Sequence, residues 1–170
     1  LDYNTKYPST PGEEMDPERG WISRYAWGTD YHEVIEKMFK KALPELEKST
    51  GAQFRYYVDH GPILEKLAGR RAGLGWMGKN TLLLHPKAGS WFFLGCMVTD
   101  LEMPIGPIEL EDRCGSCTAC LDICPTEAFP QPYVLDARKC ISYQSIERKV
   151  DDGEAPGPLH GHLFGCDLCQ

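Results

Sequence analysis

The sequence predicts an α+β fold in two parts, an α/β part over residues 1–105 and a smaller cysteine-rich part over residues 106–170. In the first part, apolar residues recur at helical spacing and then alternate as they do in strands. In the second part lie seven of the chain's eight cysteines. Residues 100–113 are rich in proline, glycine and acidic side chains, which is typical of a linker, and we place the boundary near residue 105.

The composition is that of a soluble globular protein. Of its 170 residues, 42% are hydrophobic and 25% are charged. No apolar run approaches the roughly 20 residues of a membrane helix, and no signal-peptide pattern opens the chain. A net charge of −7 argues against a large basic surface for nucleic acid. The chain starts at Leu1 without a methionine and stops one residue after Cys169, so we expect a fragment.

A helix is predicted after the segment 1–20, which reads as an extended lead-in. Asp30 with Glu33 makes a capping-box start, and apolar residues then follow helical spacing. Pro44 is expected to end or kink this helix. Any continuation closes at Gly51.

A strand, a turn and a second helix are predicted next. Apolar side chains alternate over residues 53–58, which indicates a strand. Residues 59–62 break it, and Pro62 suits the first turn of a helix that ends near residue 72.

Two further strands are predicted at residues 81–85 and 90–99, joined by a hairpin turn over residues 86–89. Cys96 lies in the second of them, with no other cysteine at ligand spacing. We interpret it as a core thiol.

The glycines at 73, 75 and 78 form a G-x-G-x-x-G pattern. The dinucleotide fingerprint follows a strand and opens a helix, whereas this pattern follows a predicted helix and precedes a strand. It therefore does not predict a dinucleotide site. We expect the glycines instead to allow close backbone approach to something bulky.

The cysteine run of the second part predicts iron–sulfur chemistry. Cys114, Cys117, Cys120 and Cys124 stand at spacings of three, three and four, and Pro125 follows. In two-cluster ferredoxins, the first three of such a run bind one cluster and the fourth binds the other. Zinc sites pair two Cys-x-x-Cys units across a longer gap, and disulfides suit secreted chains, so both alternatives fit less well. Helical turns are expected after Cys117 and Cys140, a short strand at residues 133–135, and an acidic loop at residues 151–158.

The ligand count leaves one position open. Two cubanes need eight ligands, and the natural partners of Cys124 are Cys140, Cys166 and Cys169. The first cluster then lacks a fourth thiolate. Either that ligand followed the present C-terminus, or the site is open; Cys96 could fill it, but its neighbours indicate a buried strand. The five histidines are dispersed, and we do not assign any as a cluster ligand.

Asp59 is the candidate catalytic residue of the first part. It follows a predicted strand and precedes a Gly-Pro turn that would fix its direction. A carboxylic acid in an apolar pocket can have its pKa raised enough to donate a proton near neutral pH. The alternative is that Asp59 only caps the helix predicted near Pro62.

Taken together, several segments resemble epoxyqueuosine reductase, over nearly the whole chain. The cysteine run alone occurs in many ferredoxins, but its combination with the other segments is specific. These segments are Val58–Glu65, Gly73–Thr81, His85–Pro86 with Gly89–Trp91, Cys140–Tyr143, and Gly165–Asp167 with Cys169.

The resemblance implies a cobalamin-binding, reductase-like α/β domain followed by a two-cluster, ferredoxin-like domain. Members of this family carry cobalamin and two 4Fe–4S clusters and reduce epoxyqueuosine to queuosine at the wobble position of tRNA. The resemblance makes Asp59 the expected proton donor and puts cobalamin between the reductase domain and the clusters. It maps Cys114, Cys117 and Cys120 to one cluster and Cys124, Cys140, Cys166 and Cys169 to the other. The implied cofactor contacts are Tyr25, Asp59, Lys79, Asn80, Thr81, Leu83, Ser90, Ser142 and Tyr143.

The implied partners are a tRNA anticodon loop carrying epoxyqueuosine and an electron donor that the sequence does not identify. A cytoplasmic monomer without membrane contact is expected. His60 departs from the family pattern, where threonine is expected. Two other classes remain: a reductive dehalogenase-like corrinoid enzyme, which an export leader and a tyrosine proton donor would favour, and a simple electron-transfer ferredoxin module.

Overall fold

The computed structural model describes residues 1–3, 18–104, 110–149 and 157–170. The predicted boundary near residue 105 and most of the predicted lead-in and acidic loop lie outside these ranges. In chain order the described strands and α-helices are β1 (Trp21–Ile22), α1 (Tyr31–Thr50), β2 (Phe54–Tyr57), α2 (Glu65–Arg71), β3 (Trp76–Met77), β4 (Leu83–Leu84), β5 (Cys96–Thr99), α3 (Ala119–Asp122) and β6 (His162–Phe164).

The chain divides into two units that no single cut separates. The first unit contains residues 1–3, 28–76 and 83–104 together with 110–111, and the second contains residues 18–27, 77–82, 112–149 and 157–170. Strand β1 belongs to the second unit because it pairs in parallel with β6. Among the described residues, no helix is both long enough and apolar enough to cross a membrane.

Helix α1 begins and ends where its capping residues predict. The Asp30 carboxylate accepts the N–H of His32 at 2.9 Å, and Gly51 closes the helix in a left-handed conformation at φ 72°. The helix runs through Pro44 to Thr50, so proline does not end it, and the expected continuation that closes at Gly51 is confirmed. Proline removes one intrahelical N–H, and an otherwise continuous helix tolerates that loss when neighbouring turns hold it.

Strand β2 and helix α2 follow, and α2 begins at a later residue than the sequence predicts. Helix α2 begins at Glu65, after Pro62, so Pro62 does not occupy its first turn. Strand β2 pairs antiparallel with β5, with Tyr57 opposite Cys96. Apolar burial in this unit centres on Ile35, Val58 and Leu83, each 5% exposed or less.

The predicted hairpin between residues 81–85 and 90–99 is wrong as a strand pair. A bridge between His85 and Gly89 retains the turn, but β4 pairs with β3 and β5 pairs with β2. The N-terminal residues explain the difference. Tyr3 donates its N–H to the Trp91 carbonyl at 2.9 Å, and Phe93 donates to the Leu1 carbonyl at 2.7 Å. The stretch after the turn is therefore paired with the first residues of the chain.

In the second unit, the helical turns expected after Cys117 and Cys140 are present as α3 and as a turn of π-helix over Tyr143–Glu147. The short strand expected at residues 133–135 is absent; only an isolated bridge joins Gln131 and Val134. Tyr133 adopts φ 66°, outside the strand region, which explains why no strand forms.

Gly165 is placed where a side chain does not fit. It has φ 70°, and a Cβ there would lie 2.5 Å from the Ser23 hydroxyl and 2.7 Å from the Tyr25 hydroxyl. We expect Gly165→Ala to lower the free energy of unfolding by about 3 kcal/mol, from backbone strain and overpacking together. Urea denaturation checks this.

Gly28→Ala is the matched control, because Gly28 also has positive φ (84°) but no neighbour within 4 Å of the added Cβ. It should cost about 1 kcal/mol, from backbone strain alone. Equal losses in the two variants would contradict the steric argument for Gly165.

Candidate functional site

Asp59 lies just after β2 with its carboxylate held by the first residue of α1. The Tyr31 hydroxyl donates a hydrogen bond to Oδ2 of Asp59. The Tyr31 ring is itself fixed by stacking on Phe93, with ring centroids 3.9 Å apart and 5° between the planes. Asp59 adopts φ 59°, a left-handed conformation that aspartate tolerates better than most residues. The side chain therefore has a defined direction.

His32 lies between two carboxylates. Its Nδ1 is 2.7 Å from Oδ1 of Asp30, and its Nε2 is 3.6 Å from Oδ2 of Asp59. The His60 ring packs nearby, with centroids 4.7 Å apart. Imidazole has a nitrogen on each side and so can hold a proton near Asp59.

The structural premises of both sequence-based interpretations of Asp59, the helix cap and the apolar pocket, are not met. Asp59 does not cap α2, because the N-cap residue Leu64 makes no capping bond with its side chain, and the Asp59 N–H instead donates to Oε1 of Glu65 at 3.1 Å. The side chain of Asp59 is 50% exposed, so it is not enclosed in an apolar pocket. Burial, and further the charge of Asp59, raise the pKa of Glu65.

Four cysteines of the second unit line one cavity. These cysteines, which are the set assigned to the second cluster, are Cys124, Cys140, Cys166 and Cys169. Apolar side chains such as those of Ala128 and Ile141 complete the wall of the cavity. Burial raises the pKa of Cys166 to about 11 and that of Cys169 to about 12. The backbone N–H of Ala128 points to Sγ of Cys124 at 3.4 Å, a contact suited to a metal-bound sulfur.

The other three cysteines, Cys114, Cys117 and Cys120, are not part of the lining of this cavity. Burial raises the pKa of Cys120, and the charges of Cys114 and Cys117 raise it further. Within the described ranges, no three cysteine, histidine or acidic side chains are grouped so as to hold a metal ion. A four-iron cluster is larger, and thiolates bind it at separate corners. Cys96 belongs to the first unit, in β5, where burial raises its pKa.

The implied cofactor contacts fall in both units. In the second unit, Tyr25 lies beside Ser142, and burial raises the pKa of Tyr25 to about 12. Lys79 and Asn80 have side chains bonded to the backbone of the cysteine segments; Thr81, at φ 64°, and Tyr143 also lie here. In the first unit, Leu83 is buried, and the buried hydroxyl of Ser90 has no partner among the described residues.

Three residues around these sites were missed by the sequence interpretation. Tyr31 and His32 contact Asp59 across 28 and 27 positions of sequence, which no local pattern reveals. Asp167, 2% exposed, accepts the Arg24 N–H at 2.6 Å and so ties the second cysteine set to the turn after β1. For Asp167, the available signal in the sequence was its position between the candidate ligands Cys166 and Cys169.

Two family models match the chain. The one described as "4Fe-4S double cluster binding domain" matches residues 113–170, and this confirms the prediction of two 4Fe–4S clusters. The one described as "Epoxyqueuosine reductase QueG, DUF1730" matches residues 1–60. The first match agrees with the cysteine spacing and leaves the zinc and disulfide alternatives without support.

Individual curated proteins and solved structures that are similar to this chain are also epoxyqueuosine reductases. The epoxyqueuosine reductase of Pseudomonas aeruginosa is 50% identical over 156 residues, which are 91% of this chain and 43% of that protein. A solved structure of epoxyqueuosine reductase from Streptococcus thermophilus has a TM-score of 0.83 at 33% identity, over 100% of this chain and 46% of the other. A structure of epoxyqueuosine reductase with an epoxyqueuosine-modified tRNA stem loop has a TM-score of 0.77 at 35% identity, over 89% and 40%. The chain thus spans about half the length of the curated relatives it matches.

Proposed function

Because this chain belongs to the epoxyqueuosine reductase family, we propose that it forms the part of such an enzyme that brings electrons and a proton to epoxyqueuosine in tRNA. The net reaction consumes two electrons and two protons, breaks both C–O bonds of the oxirane and releases its oxygen as water. The observation that carries the proposal is the pairing, in one chain, of a carboxylate positioned by Tyr31 with a double-cluster cysteine pattern.

The acid–base step belongs to the first unit. Asp59 is half exposed, so a substrate oxygen can reach it, while the Tyr31 bond fixes one of its two oxygens. A positioned carboxylic acid can protonate the oxygen as the ring opens. His32, 3.6 Å from Asp59 and bonded to Asp30, is suited to return a proton to Asp59.

Cobalamin is part of the proposal. The buried Ser90 hydroxyl without a partner among the described residues is a polar atom that a bound polar group would satisfy. Ser90 of the first unit would contribute to holding it; the contacts that the family resemblance implies within the second unit are Tyr25, Thr81, Ser142 and Tyr143. When bound, cobalamin supplies low-valent cobalt that reacts with the strained epoxide, and the clusters supply single electrons. The tRNA substrate implies that the protein acts in the cytoplasm, with an electron donor still to be identified.

Reconstitution tests the function directly. The longest natural form of the protein is loaded anaerobically with iron, sulfide and cobalamin, reduced, and incubated with a tRNA stem loop carrying epoxyqueuosine. Mass spectrometry of the nucleosides should detect queuosine, dependent on added cobalamin. Organohalide turnover without queuosine would indicate a dehalogenase, and clusters with neither corrinoid uptake nor queuosine would indicate an electron-transfer module.

Tyr31→Phe tests the positioning of Asp59. The variant keeps the ring stacked on Phe93 but loses the hydrogen bond to the carboxylate. We expect kcat to fall about tenfold to a hundredfold with KM unchanged, because misplacing a reacting group by a small distance costs this much. Tyr56→Phe, which also removes a hydroxyl from the first unit, should retain activity. An unchanged kcat in Tyr31→Phe would remove Tyr31 from the mechanism.

A further inference from the structure

Lys79 holds the loop that carries the first two cysteines. Its Nζ donates to the carbonyl of Gly115 at 2.7 Å and to the carbonyl of Cys117 at 2.8 Å. Gly115 has φ 48°, so the loop turns sharply at the residue whose carbonyl Lys79 binds. The same short loop carries Cys114 and Cys117, both assigned to the first cluster. One ammonium group therefore fixes the path of the backbone between two ligands.

Two further residues, Asp112 and Tyr133, also hold this loop. Oδ1 of Asp112 accepts the N–H of Cys114 at 2.7 Å, and the Tyr133 hydroxyl donates to Oδ2 of Asp112 at 2.5 Å. Tyr133 in turn donates its backbone N–H to the carbonyl of Lys79 at 2.9 Å. The Tyr133 hydroxyl, followed by the Cys114 N–H, lowers the pKa of Asp112. These bonds form a continuous network from Lys79 around the loop and back to the Lys79 backbone.

The next residue along the chain reaches the other cysteine set. The Asn80 side chain is 4% exposed and donates through Nδ2 to the carbonyl of Cys169. Its Oδ1 accepts the N–H of Leu82 at 3.2 Å, which fixes the amide. Adjacent residues thus contact different cysteine sets, so a change at Lys79 removes hydrogen bonds to the loop of the first set and leaves the Asn80 bond to the second.

Charge gives Lys79 a second effect. A 4Fe–4S cluster bound by thiolates is anionic and gains one negative charge on reduction, and its potential depends on nearby charge and hydrogen bonds. A fixed ammonium at the ligand loop stabilises the reduced form more than the oxidised form. We propose that Lys79 is a positioning residue that holds the Cys114–Cys117 loop and raises the reduction potential of the cluster which that loop binds. This inference requires the double-cluster part alone, and neither the cobalamin nor the tRNA of the proposed function.

The test is a potentiometric titration of the cluster-loaded, full-length protein. The electron paramagnetic resonance signals of the two reduced clusters are measured at each potential. Cys140→Ala, which should lack the second cluster, identifies the signal of the first. In Lys79→Met, the ratio of reduced to oxidised first cluster at a fixed potential should fall about tenfold, which for one electron is a midpoint lowered by about 59 mV. The midpoint potential of the second cluster should not change. Lys41→Met, which removes an exposed charge from α1, should change the midpoint potential of neither cluster.

Each outcome is decisive. Selective loss of the first cluster in Lys79→Met, with the second intact, supports the positioning role. Both clusters present with unchanged midpoints, or both midpoints lowered together, overturns the proposal. Should Lys79→Met not fold, Lys79→Arg decides, because it keeps the charge: a near-native midpoint supports the proposal, and a tenfold fall with the cluster retained overturns it. Failure to make queuosine would bear on the proposed function only, since the titration contains no tRNA.

Discussion

Asp59→Asn is expected to reduce the conversion of epoxyqueuosine about 10²- to 10⁴-fold, the usual contribution of a positioned general acid. Asparagine matches the shape of aspartate but has no acidic proton to give to the oxirane oxygen. It also tolerates the left-handed backbone at φ 59°, so the fold should survive. Single-turnover assays of the reconstituted protein check the rate, and iron analysis checks that both clusters remain.

The matched control is Asp100→Asn. Asp100 belongs to the same unit and accepts the N–H of Gln53 at 2.7 Å, without contacting Asp59 or its partners. Its loss should leave turnover nearly unchanged. If Asp59→Asn retained activity within about threefold of the parent, which is less than a general acid contributes, Asp59 would have no part in proton transfer.

Cys140→Ala should remove one whole cluster. Cys140 lines the cavity formed with Cys124, Cys166 and Cys169, and a cubane that loses one of its corner ligands is exposed to solvent and is readily lost. Iron should fall from about eight to about four atoms per chain, and the tRNA reaction should stop. Iron and acid-labile sulfide measured on anaerobically prepared, full-length protein test this.

Cys96→Ala is the control that also settles the open ligand position. Cys96 lies in β5, where burial raises its pKa, and it belongs to the first unit rather than to the unit of the other cysteines. The variant should keep both clusters. A loss of about four iron atoms in Cys96→Ala would instead make Cys96 the fourth ligand of the first cluster.

Local signals in the sequence predicted elements whose determinants lie within a few residues. Asp30 and Gly51 marked the two ends of α1 because capping bonds join residues two to four positions apart. The alternation before Val58 predicted β2 for the same reason. The strand pairings failed because the partner of a strand is chosen by contacts far along the chain: β5 pairs with β2, and residues 91–93 pair with the N-terminal residues.

The sequence by itself predicted the grouping of the cysteines, because in two-cluster ferredoxins the first three of such a run bind one cluster and the fourth binds the other. It also determined the ends of α1. Only the tertiary structure decided three hydrogen bonds between residues far apart in sequence. Tyr31 bonds to Asp59 across 28 positions, Lys79 to the carbonyl of Gly115 across 36, and Asn80 to the carbonyl of Cys169 across 89. The physical reason is that closing such long loops costs entropy that many separate contacts offset together, and no short pattern records which side chains then meet.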